Sequence, residues 1–203
     1  SQLGVWEAVA AALSADVDRC APRNAASAIV AIADEAVRRN ESPEEAVAPH
    51  YLIIHDLAQF RDLRISEEDF GFSFSGGDDK PPAIDKRFRE LLRDGPAVGV
   101  HVLLWCESYN SLTRSIDRLA LRDIEFRVAL PMSAADSTSW IDSPAAGRLG
   151  EHRAILYRDD LGTEVKFRPY ASPDPRWLAE VAAARSTPDD GGVRVAQAKA
   201  AQQ

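Results

Sequence analysis

Apolar residues along this chain follow two spacings, and each predicts a different element. Residues 4–16 place Val5, Val9 and Leu13 on one helical face. Residues 24–40 repeat the pattern with Ile29, Ile32, Ala33, Ala36 and Val37, and Asn24 stands where a helix cap belongs. Ser42-Pro43-Glu44-Glu45 suits one short helical turn. The run Tyr51-Leu52-Ile53-Ile54-His55 has no alternation, which fits a parallel strand buried on both faces. Residues 65–82 are acidic, Gly-rich and end in Pro-Pro, so they read as a surface loop.

A helix is expected over 84–94 on Ile84, Phe88, Leu91 and Leu92, with Gly95 as its stop. Residues 98–106 (VGVHVLLWC) form a second buried strand, and 111–123 a helix on Leu112, Ile116 and Leu119. Residues 124–132 (IEFRVALPM) form a third strand, and Ser133 to Asp136 a capping box. A β-hairpin turns at Asp159-Asp160-Leu161-Gly162, and residues 174–186 form a last helix. Strand–helix–strand–helix–strand predicts an α/β domain with a parallel sheet. The residues after Ser186 are small and polar and read as a flexible tail.

Composition narrows the options. Apolar residues make up 45% of the chain, enough for a real core, and the formal net charge of −8 argues against broad affinity for nucleic acid. No apolar run is long enough to cross a bilayer, and no secretory leader is visible. Cys20 and Cys106 form no CxxC pattern, which suits a reducing, cytoplasmic setting, with Cys106 expected to be buried. His50, His55, His101 and His152 lack metal-ligand spacing, so no metal site is expected from them. Trp6, Trp105, Trp140 and Trp177 read as core residues.

Three blocks carry a family resemblance. YLIIHDLAQFRDL at 51–63 is similar to the Walker B strand of FtsK/SpoIIIE/HerA-type P-loop ATPases. LLRDGPAVGVHVLLWCES at 91–108 resembles that family's next helix, turn and sensor strand. The stretch 124–157 is similar to its last core strand, Asp-Ser helix, Leu-Gly turn and closing strand. The resemblance covers about residues 50–157. It implies the C-terminal half of a motor domain: a partial, three-layer RecA-like parallel sheet flanked by helices, with a C-terminal hairpin. The implied organisation is helices packing on the sheet over 1–49, the ATPase-like core over 50–170, a helix over 171–185 and the tail over 186–203.

In such a sheet, strand ends point at the nucleotide crevice. The resemblance implies nucleotide-site roles for His55, Asp56 and Glu107, the last two as catalytic candidates. The sequence departs from the family at each: His55 stands where Mg²⁺ is held by an aspartate, Asp56 replaces a glutamate, and Glu107 replaces a sensor glutamine. His55-Asp56 reads equally as a strand-end histidine bonded to a neighbour, and Glu107 as a solvated carboxylate. Arg127 and Arg148 are candidate arginine fingers, or partners of carboxylates. Arg114, Arg118, Arg122 and Arg127 cluster in sequence, interleaved with Asp117 and Asp123, and read as a phosphate-tracking face or a solvated one.

No GxxxxGK[ST] occurs, so the phosphate-cradling loop lies upstream of Ser1 in the parent protein or is lost. ATP and Mg²⁺ are therefore implied for the parent and not expected for this chain alone. The implied activity is that of a ring-forming, homo-oligomeric ATPase that translocates or processes DNA. The alternative is a degenerate, non-catalytic module that binds partners or sets ring geometry, as in secretion-type ATPases of the same superfamily. The absent first strand would lie between the second and third strands, so those two are expected to pair directly or to pair with another copy.

Overall fold

A computed structural model describes residues 8–12, 17–42, 48–65 and 84–186. These fall into two units divided at 19/20 and 169/170. The larger contains two small sheets and four helices: α1 (Ala25–Glu41), β1 (His50–His55), α2 (Ile84–Asp94), β2 (Val100–Trp105), α3 (Tyr109–Thr113), β3 (Phe126–Ala129), α4 (Ala134–Ile141), β4 (Ala154–Arg158) and β5 (Thr163–Phe167). The smaller has helical residues 8–12 and helix α5 (Pro175–Ser186), whose Asp174 Oδ1 accepts from the Arg176 amide at 2.7 Å. Among the described residues, no helix is long and apolar enough to cross a membrane. The turn expected at 42–45 and the loop expected at 65–82 fall almost wholly outside the described residues, as do Trp6 and the tail.

The fold is mixed α/β, with a two-stranded parallel sheet and a three-stranded antiparallel one. β1 and β2 pair in parallel, with Tyr51 opposite His101, Ile53 opposite Leu103 and His55 opposite Trp105. Leu52, Ile54, Val100, Val102 and Leu104 occupy the other face and pack into clusters with Ile29 and Ala36 of α1 and Phe88, Leu91 and Leu92 of α2. Fully burying one such aliphatic or aromatic side chain stabilises by about 1.5–3 kcal/mol. Arg87 on α2 reaches Asp34 on α1 at 2.8 Å.

Gly95 ends α2 as expected, but for a reason of space. A Cβ there would lie 2.7 Å from the Val100 carbonyl oxygen. Gly99, at φ 73°, then supplies the left-handed residue that turns the chain into β2.

Several expectations need correction. Asn24 makes no side-chain cap. Pro22–Asn24 is already a 3₁₀ turn, and Asn24 has φ −108° and ψ 4° rather than the extended backbone a capping side chain needs. Val37 is 51% exposed and off the buried stripe. The helix over 111–123 is broken: α3 stops at Thr113 and a 3₁₀ turn spans Ala120–Asp123. The cause is Asp117, whose Oδ1 accepts from the amides of Leu119 and Ala120, each at 2.8 Å. An aspartate offering the backbone such bonds competes with the helix. Leu119 is consequently 73% exposed instead of buried beside Leu112 and Ile116.

β3 is the larger correction. It forms, but it pairs antiparallel with β4, Val128 opposite Leu156, and not with β2. Direct closure of the second strand on the third does not occur, and the parallel sheet has two strands among the described residues. The hairpin is where it was expected: β4 pairs with β5, and Gly162 has φ 59° in the turn. Ser133 caps α4, accepting from the Asp136 amide at 3.0 Å while its hydroxyl donates to Asp136 Oδ2 at 2.8 Å.

The β1–β2 sheet and the β3–β4 pair are each covered on one face and open on the other, and β5 is exposed along most of its length. Tyr51, Ile53, Leu103 and Trp105 are 41–56% exposed, and so are Val128, Leu130 and Val165, with Phe126 at 57%. The unbroken apolar runs that predicted strands buried on both faces are thus only half satisfied. Trp105 and Trp177 are surface residues, and Cys106 is half-buried.

Candidate functional site

The parallel register sets the geometry. His55 lies opposite Trp105 at the C-terminal end of the sheet, so Asp56 follows one strand and Cys106-Glu107 the other, at the same end. Sequence-predicted His55, Asp56 and Glu107 are therefore brought together. Arg127 and Arg148 are placed in other elements, β3 and the 3₁₀ turn Pro144–Arg148.

Asp56 is the unusual residue. Its backbone has φ 61° and ψ 76°, a left-handed conformation that costs a non-glycine residue on the order of 1 kcal/mol. The chain turns sharply there, from β1 into the 3₁₀ turn Leu57–Gln59, and buried Leu57 pins the turn to the core. Gln59 Nε2 donates to Asp56 Oδ2 at 2.8 Å. Oδ1 is buried without any hydrogen-bond partner, alone in that among the described side chains. An unmet buried acceptor costs about 1–3 kcal/mol. Strain and an orphaned oxygen coincide in this one residue among those described.

Neighbouring groups feel this carboxylate. Burial pushes the Cys106 thiol above its ordinary range, and the nearby Asp56 charge adds to the push. The His55 imidazole stacks on the Trp105 indole, ring centres 4.7 Å apart and planes 7° apart. Four residues back along both strands, Tyr51 and His101 stack at 5.3 Å and 30°. Rings that stack on each other across the strands leave their edges, not their faces, toward the open side. Glu107 is exposed, and Ser108 beside it caps α3 by accepting from the Ser111 amide at 3.2 Å.

Arg127 is built into the fold. Its guanidinium donates to the carbonyls of Leu121 at 2.8 Å, Ile124 at 3.0 Å and Trp140 at 3.2 Å, and pairs with Asp159 at 3.2 Å. It also lies 5.5 Å from the Trp140 ring centre and 5.7 Å from that of Tyr157. Arg148 is exposed and makes no ion pair among the described residues.

Asp56 Oδ1 is an unmet acceptor closed off from solvent, whereas His55 is committed to an aromatic stack and neutral imidazole suits Mg²⁺ poorly. No cluster of three metal-binding side chains exists among the described residues. Sequence reasoning missed Gln59 and the His55–Trp105 stack. Gln59 sits three residues after Asp56, a spacing at which a turn brings side chains together; the stack depends on strand register, which no single strand encodes. Comparison with known protein families finds no matching family model, and comparison with curated proteins finds no match.

Proposed function

We propose that this chain is the C-terminal half of an FtsK/HerA-like P-loop motor domain, the carboxylate side of a nucleotide crevice in a ring-forming, DNA-processing ATPase. The observation that carries the reading is Asp56: a strained carboxylate with a free, buried oxygen, at the C-terminal end of a parallel strand beside the end of the next strand. That is where open α/β sheets place ligand-binding groups. In this reading Asp56 orients the attacking water and Glu107 lies near the terminal phosphate. The upstream half supplies the phosphate loop, its lysine and the layer that covers Tyr51, Ile53, Leu103 and Trp105, completing the RecA-like three-layer sheet.

ATP and Mg²⁺ then belong to the assembled domain. Phosphate affinity comes mainly from the loop and the helix N-terminus behind it. Isolated, the chain should give no micromolar calorimetric isotherm with Mg-ATP. The gene product that includes the upstream segment should hydrolyse ATP, and Asp56→Ala should abolish hydrolysis. An isotherm from the chain alone would refute the assignment.

The second reading is a degenerate module that assembles with partners without hydrolysis. The specific observation in its favour is His55, stacked on Trp105 at the position where the family holds Mg²⁺. Tight ATP binding without turnover by the longer protein would select this reading.

A further inference from the structure

The C-terminal hairpin leaves one edge open. β5 pairs with β4 on one side, and its outer side has no partner among the described residues. Which main-chain groups line that outer side follows from the register. The Asp159 amide donates to the Glu125 carbonyl at 2.9 Å, so residue 159 faces β3. Facing alternates along an antiparallel strand. Tyr157 and Ile155 therefore bond toward β3, and Arg158, Leu156 and Ala154 bond toward β5. Opposite these three, Thr163, Val165 and Phe167 use their amides and carbonyls on β4. Glu164 and Lys166 aim theirs outward.

An open edge is a template for another strand, and charges along it commonly prevent such pairing. Here the charges are arranged about a centre. Glu164 and Lys166 flank Val165, are exposed, and make no ion pair among the described residues. In an antiparallel pairing of two copies centred on Val165, each Glu164 faces Lys166 of the other copy. Opposite charges directly across a ladder are favourable, and like charges are not. A shift of two residues in either direction sets Glu164 against Glu164 or Lys166 against Lys166. The same two charges thus admit one register and exclude its neighbours. The main chain agrees with that register: Glu164 and Lys166 form the pairs that exchange both hydrogen bonds, and Val165 meets Val165 in the closer, non-bonded pair. Val165, Leu156 and Val128 share the open face, so the apolar stripes of the two copies become continuous.

We infer that β5 pairs with β5 of a second copy about a two-fold axis at Val165, joining two three-stranded sheets into one. The contact is short, so the pair is weak and reversible. It involves neither β2 nor β3. It does not rest on the motor-domain reading, because a two-fold contact closes on a pair whereas a ring needs head-to-tail contacts.

The test is sedimentation equilibrium of the chain up to about 1 mM, in about 150 mM NaCl to screen its net charge of −8. A concentration-dependent dimer is expected. Glu164→Lys or Lys166→Glu alone sets like charges opposite and should weaken association by about tenfold or more. The two together restore the opposition and should return association to wild type. Cross-linking then reads the register. With Cys20→Ser as background, Val165→Cys should form a disulfide with its counterpart under mild oxidation, because Cα atoms of a non-bonded pair stand about 4.5 Å apart. Glu164→Cys should not, since its own counterpart lies beyond the roughly 7 Å that a disulfide spans. Circular dichroism should be unchanged throughout, since all three side chains are exposed. A chain that stays monomeric at the highest concentration overturns the inference and leaves the edge to an extended segment of another protein. A double charge swap that associates no better than the single variants also overturns it, as does Glu164→Cys cross-linking as readily as Val165→Cys.

Discussion

Asp56 offers a sharp test because its two anomalies predict gains, not losses, on mutation. Glycine at this position removes the left-handed penalty, about 1 kcal/mol, and the unmet oxygen, about 1–3 kcal/mol. Against this stand the lost bond to Gln59, about 1 kcal/mol, and the entropy of glycine in the unfolded chain, about 0.5–1 kcal/mol. The balance is about 1 kcal/mol of stabilisation for Asp56→Gly, or about 2–4 °C in Tm for a unit of this size. Asp56→Ala separates the two causes. It removes the same oxygen but keeps the backbone penalty of about 1 kcal/mol, so it should fall below Asp56→Gly by up to about 0.5 kcal/mol, although alanine ordinarily exceeds glycine by about 0.5–1 kcal/mol. Urea and thermal unfolding by circular dichroism measure both differences. A Tm for Asp56→Gly several degrees below wild type, or alanine above glycine, would refute the reasoning: Asp56 would then be a structural residue in relaxed backbone.

Other perturbations follow from the same geometry. With Cys20→Ser as background, Asp56→Asn should lower the Cys106 thiol toward its ordinary range, seen as faster alkylation at a given pH; burial still dominates, so the shift is partial. Arg127→Leu leaves three carbonyls and Asp159 without their donor and should cost about 3–5 kcal/mol in urea unfolding. The arginines at 38 and 39 hold Glu35 near a pKa of about 2, below its unfolded value; its contribution to stability is therefore complete above about pH 4.5 and lost as pH falls from there toward 2. Glu35→Gln should remove that part of the pH dependence, read from unfolding curves across this range.

How much of this was visible in the sequence depends on range. Local signals held at the Phe88–Leu92 stripe, the Ser133 cap, the Gly162 turn and the apolar strands, and failed at the Asn24 cap. Signals depending on distant partners did not. Nothing in 124–132 says whether its strand pairs with β2 or with a later hairpin, since an edge accepts either. Asp117 is one residue in a good helical stripe, and only its three bonds show why the helix breaks. At the site, His55, Asp56 and Glu107 were legible as strand-end residues, and the register brings them together. The positive φ of Asp56 was not legible, because aspartate fits many turns and the burial of the next residue, Leu57, depends on the tertiary fold.

The central claim is that these strands are half of a nucleotide-hydrolysing domain. Steady-state ATP hydrolysis by the full-length gene product, with and without Asp56→Ala, tests it most directly. The account predicts magnesium-dependent turnover that Asp56→Ala reduces by at least about a hundredfold, the scale of losing a group that orients the attacking nucleophile. Turnover that survives the substitution unchanged, or a full-length protein with no turnover at all, would contradict it.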